Sequence, residues 1–147
     1  MQKRIFFFFF LFLAGTACGQ QVGKLVITDN LAASSKFGYG KPKPAPPKDS
    51  FVMLPDKGTQ VLFYAELVPS ENLPETYNLK FTAYKTDNGK EEWIDDRVMN
   101  VKNTASYSLT AFNFFSTGTY KIIITPDGDP KKVLASGVFE ILDRKST

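Results

Sequence analysis

"YNLKFTAYKT", from Tyr77 to Thr86, alternates with a period of two: Tyr77, Leu79, Phe81 and Ala83 project one way, Asn78, Lys80, Thr82 and Tyr84 the other. Such alternation is the mark of a strand with one face on a core and one in water. Asp87-Asn88-Gly89-Lys90 follows, and Asn and Gly tolerate the positive φ angles of a tight hairpin turn. "EEWIDDRVMNV", Glu91 to Val101, is then the returning arm. Its alternation fails where Trp93 and Ile94 stand side by side, which predicts a bulge or an edge position.

Further strands are legible on either side of this hairpin. Upstream, "VLFYAEL" sets Val61, Phe63, Ala65 and Leu67 against Leu62, Tyr64 and Glu66, and Lys24 to Thr28 forms an earlier strand-like run. Downstream, "SYSLTAFNFF" (Ser106 to Phe115) puts Tyr107, Leu109 and Ala111 on one face; "TYKIIITP" comes next. Pro126-Asp127-Gly128-Asp129-Pro130 supplies a turn, and "KVLASGVFEIL" ends the series, with Gly137 expected to bend or bulge it. No segment long enough for a helix shows a 3.6-residue apolar period. Short strands at regular spacing with such turns predict an all-β antiparallel sandwich.

Gly118-Thr119-Tyr120-Lys121-Ile122 resembles the tyrosine corner of immunoglobulin-like domains, and the resemblance extends over roughly 61–142. It implies a Tyr120 hydroxyl bonded to upstream backbone at the start of the sixth strand of the fold. Phe112, Phe114 and Phe115 are expected to fill the core beneath it. Ile122 occupies the position of the usual inter-sheet cysteine, so the disulfide of antibody domains has no counterpart here.

The chain opens with Met1-Gln2-Lys3-Arg4, an apolar run from Ile5 to Ala14 and the small residues Gly15-Thr16-Ala17 before Cys18. An apolar run of about ten residues is half of what a bilayer-spanning helix needs. A basic start, a short apolar stretch and small residues make an export signal. Gly15-Thr16-Ala17-Cys18 resembles the lipobox of bacterial lipoproteins, with Gly15 where a branched aliphatic residue is usual. The resemblance implies cleavage before Cys18, a diacylated thiol and, in many bacteria, a further fatty acyl chain such as palmitate on its amine. Several chains together anchor a protein firmly. Ordinary signal peptidase cleavage after Ala17 or Gly19 is the alternative. Cys18 is the sole cysteine, so it has no intrachain partner, and an unpaired thiol in an exported chain calls for an explanation. Gly19 rather than Asp after the cysteine resembles the pattern of lipoproteins sorted to the outer membrane.

The domain organisation expected is therefore a leader over 1–17, an N-terminal segment over 18–50 and a sandwich over 51–147, to which 22–30 would add a strand. "KFGYGKPKPAPPKDS" (Lys36 to Ser50) carries four prolines and reads as a stiff polyproline-like connector. A basic ligand arm on Lys36, Lys41, Lys43 and Lys48 is its functional rival. The full chain of 147 residues has a formal charge of +3, but without Lys3 and Arg4 the 18 basic residues fall to 16 against 15 acidic. That near balance gives no argument for nucleic-acid binding. Histidine is absent, which excludes Ser-His-Asp and Cys-His catalysis and His-ligated metals.

Among the remaining side chains, Glu91, Glu92, Asp95 and Asp96 are the densest carboxylates, and paired carboxylates can cleave glycosides. On an unbroken strand Glu91 and Asp95 share a face, as do Glu92 and Asp96; edge protection is the competing role. Asp127-Gly128-Asp129 lacks the further acids of a calcium loop and reads as a hairpin connection. Trp93, Ile94 and Arg97 form a candidate partner-binding patch, since Trp and Arg are enriched at binding hot spots; packing of Trp93 in the core is the alternative. The reading is a non-enzymatic module, membrane-anchored through lipid on Cys18, that binds or supports a protein or envelope partner and needs no cofactor. A carboxylate-dependent glycan hydrolase and an accessory subunit of a larger envelope complex are the alternatives.

Overall fold

The stretch that opens the hairpin is β4 (Thr76–Asp87), and its alternation is realised in space: Leu79, Phe81 and Ala83 are fully buried. This computed structural model describes residues 21–29, 47–54 and 58–143; the leader, Cys18 and most of the proline-rich stretch lie outside them. The other strands are β1 (Val22–Thr28), β2 (Ser50–Val52), β3 (Thr59–Leu67), β5 (Lys90–Lys102), β6 (Tyr107–Phe114), β7 (Gly118–Pro126) and β8 (Ala135–Leu142). One sheet has the order β1-β3-β6, the other β2-β8-β7-β4-β5. All pairings are antiparallel except that of β2 with β8. Strands one, two and five of the immunoglobulin order thus share one sheet, while three, six and seven share the other with β5 beyond them. That wiring makes the fold an immunoglobulin-like sandwich.

The core lies between the sheets. β3 contributes Val61, Phe63 and Ala65, β7 contributes Ile122 and Ile124, and β8 contributes Phe139 and Ile141. Phe63 meets the rings of Phe112 and Phe139 at 5.5 and 5.6 Å, and Phe114 lies 5.3 Å from Phe139. Each such ring contributes about 1.5–3 kcal/mol by burial and roughly 0.5–1.5 kcal/mol more per edge or offset contact.

The corner expected at Tyr120 is present. Its hydroxyl donates to the Ser116 carbonyl at 2.7 Å and lies 2.8 Å from Ser116 Oγ, while its ring is buried 4.7 Å from Phe114. Lys85 Nζ donates to the same Ser116 Oγ at 3.0 Å and sits 5.9 Å from the Tyr120 ring centre. Phe112 and Phe114 fill the core below, but Phe115 does not: it is 75% exposed. Strand alternation allows only one of two adjacent phenylalanines to face inward, and Phe114 takes that place. Phe115 instead rests against Gly58, where a Cβ would come within 2.7 Å of its ring.

One further expectation is corrected. Gly137 does not bulge β8, whose ladder with β7 runs without a register shift. A Cβ at Gly137 would stand 2.7 Å from Ile27 Cδ1, so the glycine marks a close approach of the two sheets. Tyr107, Leu109 and Ala111 share a face as expected, and that face points away from the core, because β6 pairs Ser108 with Ala65 and Thr110 with Phe63. Ser108 and Thr110 therefore face inward and are buried. Of the candidate basic arm, Lys48 lies among the described residues: its backbone N–H donates to Ile27 and its ammonium pairs with Asp29 at 2.8 Å.

Candidate functional site

The hairpin between β4 and β5 closes through Asn88 and Gly89, with φ of 51° and 80°, the pair of positive angles that a type I′ turn requires. From there β5 runs at the free edge of the five-stranded sheet. Ala83 pairs with Asp95 but Tyr84 pairs with Trp93, which leaves Ile94 as the extra residue of a bulge. Both features anticipated from the side-by-side Trp93 and Ile94 are thus present at once.

The bulge determines what the site can be, because one extra residue inverts the facing of everything beyond it. Trp93 lies opposite Tyr84 on the outer face and is 56% exposed. Arg97 lies opposite the buried Phe81 on the inner side, its guanidinium 5.4 Å from the centre of the Phe112 ring. Ile94 is half-buried against the core. Trp93 and Arg97 thus address two different surfaces.

The carboxylates are dispersed by the same bulge. Glu91 and Asp96, not Glu91 and Asp95, take the outer face, where Glu91 pairs with Lys121 at 3.1 Å and Asp96 with Lys80 at 3.6 Å. Glu92 lies opposite Lys85 and Asp95 opposite Ala83; Asp95 Oδ1 accepts the Asp96 backbone N–H at 2.8 Å. Half-exposed ion pairs of this kind contribute about 0–1 kcal/mol each. Among the described residues no group of three His, Cys, Asp or Glu side chains converges as a metal site would require. The Asp127–Asp129 stretch is the hairpin connection expected, with Asp127 N–H donating to Asn78, Asp129 N–H to Pro126 and Gly128 at φ 90°.

Two surfaces result. On the outer face of the larger sheet a row runs Trp93, Tyr84, Lys121, Val138 across β5, β4, β7 and β8, with Trp93 and Val138 exposed at its ends. On the open side of the sandwich, β5 and β6 border two adjoining clefts of about 540 and 710 Å³. Met99 and Leu109 line both, and Arg97 stands at the second. Sequence reasoning named Arg97 but missed the cleft, since nothing local says that β5 and β6 bound one space. Tyr64 was missed too. It is buried on the outer side of the smaller sheet and stacked on Tyr107, the rings 5.6 Å apart and 4° from parallel. Burial, then the charge of Glu66, then Tyr107 push its phenol pKa up; burial alone does so for Tyr77.

No family model matches the chain, and no curated protein does. Among solved structures it is similar to an immunoglobulin-like protein from Pseudomonas aeruginosa, at 14% identity and a TM-score of 0.47, over 83% of this chain and 94% of that one. It is also similar to a β-glucosidase from Listeria innocua solved with gluconolactone, at 6% identity and a TM-score of 0.39. That match takes in 80% of this chain but 16% of the enzyme.

Proposed function

We propose that the chain is a non-enzymatic module of a bacterial envelope, tethered by lipid on Cys18, which binds or braces a protein or envelope partner. The observation that carries the binding role is Trp93. The chain's single tryptophan is displayed to solvent beside Tyr84, on strands whose backbone is fixed by two-sided pairing of β4. A large aromatic presented to water from a fixed backbone is the kind of anchor that binding surfaces use, since tryptophan offers a wide contact area for only two side-chain torsions to be immobilised. Support for the tether comes from the sequence: the basic and apolar leader, the small residues before Cys18 and the lack of a second cysteine. Gly19 supports the outer membrane as the destination.

Two measurements test this reading. A photo-crosslinking residue at position 93, in the native membranes, is expected to give one discrete adduct. Mass spectrometry of the mature amino terminus, with protease accessibility on whole cells, is expected to find acylated Cys18. A chain that retains Met1, or that washes from membranes with a free thiol, refutes the tether; a position 93 without an adduct refutes the binding role assigned to Trp93.

A further inference from the structure

The two free strand edges that flank the cleft are built differently. β5 carries Lys90, Glu91, Glu92, Asp95, Asp96 and Arg97 and is broken by the bulge at Ile94. Charge and bulging are the means by which proteins prevent edge strands from pairing with other chains. β6, "YSLTAFNF", has no charge, no proline and no register shift in its ladder with β3. Its free backbone groups can be assigned. Leu67 N–H donates to the Ser106 carbonyl, so in this antiparallel register residues 106, 108, 110 and 112 bond to β3. Tyr107, Leu109, Ala111 and Asn113 then direct their N–H and C=O groups away from β3. Among the described residues no strand pairs with that side.

We propose that β6 takes up an extended segment of a partner polypeptide as a fourth strand of the smaller sheet, and that a carboxylate of that segment meets Arg97. The inference rests on the binding-module reading above and adds to the Trp93 face a second contact surface, with the chemistry of the partner segment it takes. Alternate side chains of an added strand would point toward Met99 on the inner side of the cleft and beside Leu109 on the other, both apolar contacts. The charged residues lining the clefts are Arg97 and Lys102, both cationic. The described ion pairs join Lys48 to Asp29, Lys80 to Asp96 and Lys121 to Glu91, while Arg97 rests on the Phe112 ring. A planar guanidinium fork, here 5.4 Å from the Phe112 ring centre, suits two-point contact with a carboxylate. A second copy of this chain fits less well, because Tyr107 to Phe114 brings no carboxylate and symmetric pairing would set two cationic clefts side by side.

The test is to pan a random dodecapeptide phage library on the full-length chain in detergent. Retained peptides are expected to alternate apolar residues and to carry Asp or Glu. Leu109→Pro removes one outward N–H at an edge position where proline is tolerated, and it is expected to weaken their binding about tenfold or more. Ala111→Pro is a second variant of the same design, and circular dichroism verifies that each remains folded. Arg97→Gln is expected to weaken binding about fivefold or more and to flatten its salt dependence, while Val133→Ala, an exposed position away from both surfaces, leaves it unchanged. Peptides insensitive to both proline variants but lost with Trp93→Ala would overturn this inference and leave the binding-module reading standing. Failure to retain any peptide overturns it also; the position 93 crosslink then decides the broader reading. Selected peptides without acidic residues, or a dimer in sedimentation that Leu109→Pro abolishes, would overturn the partner assigned here.

Discussion

Replacing Tyr120 with phenylalanine isolates the hydroxyl at the corner from the ring that fills the core. The ring stays, packed between Phe114 and Phe139 at 4.7 and 5.7 Å. What is lost is the donated bond to the Ser116 carbonyl at 2.7 Å and the contact with Ser116 Oγ at 2.8 Å. A typical intramolecular hydrogen bond contributes about 0.5–1.5 kcal/mol net, and Ser116 is exposed, so water can take over both of its oxygens. The expected cost is therefore about 1–2 kcal/mol, well below the roughly 3–5 kcal/mol of removing a buried ring. Urea denaturation reads it directly: at a slope of about 2 kcal/mol/M the midpoint falls by roughly 0.5–1 M with the slope unchanged. Ser116→Ala keeps the carbonyl and removes Oγ, together with the bond from Lys85. It should cost less than Tyr120→Phe, since the backbone acceptor is the shorter and better fixed partner. A midpoint for Tyr120→Phe within about 0.15 M of the parent would refute the reasoning, because that shift corresponds to roughly 0.3 kcal/mol.

Three other outcomes are expected. Gly137→Ala places a methyl 2.7 Å from Ile27 Cδ1, the far end of a flexible side chain, and should cost about 1–3 kcal/mol in urea unfolding. Ile27→Val removes that Cδ1 and should restore part of the loss; strict additivity of the two changes would refute the steric account. Burial first, and Glu66 and Tyr107 after it, raise the Tyr64 phenol above its ordinary 10.0, so the folded state holds that proton more tightly than the unfolded chain. The stability this gives is whole below pH 10 and lost as pH rises through the elevated folded value, and Tyr64→Phe should make the alkaline fall in melting temperature shallower. Trp93, as the single tryptophan, should emit like solvent-exposed indole and be freely quenched by acrylamide in the native state, and Trp93→Ala should change stability by no more than about 0.5 kcal/mol. Blue-shifted, shielded emission would contradict its placement.

The strands were legible in the sequence wherever one face is dry and the other wet. Tyr77 to Thr86 is the clearest because alternate positions meet the core at Leu79, Phe81 and Ala83. The corner was legible for a different reason: the Tyr120 hydroxyl reaches a carbonyl only four residues upstream, so the motif is local. What sequence could not supply depends on partners distant in the chain. Gly137 has its role from Ile27, which approaches from the opposite sheet. Ser108 and Thr110 face inward because β3 sets the register of β6, although Tyr107, Leu109 and Ala111 are the more apolar set. Phe115 differs from Phe114 only in parity. Hydrophobicity cannot choose between adjacent phenylalanines until the register is known.

The candidate site shows how far parity governs chemistry. With an unbroken β5, Trp93 and Arg97 would have shared a face and so would Glu91 and Asp95; the one extra residue at Ile94 separates both pairs. The separation has a structural use, because it sends the exposed indole to the outer face and the guanidinium to the cleft, two contacts that do not compete for space. The bulge and the charged residues of β5 together make pairing at that edge of the larger sheet unfavourable. Of the two edges at the cleft this leaves β6 as the one suited to the strand addition proposed above, and there inward Ser108 and Thr110 border the opening rather than a sealed apolar interior. Hydroxyls at that border keep their polar partners within reach, whereas deeper between the sheets they would lose them at about 1–3 kcal/mol each. An open side bordered by polar side chains and an uncharged backbone edge is stable in water and still able to take another strand.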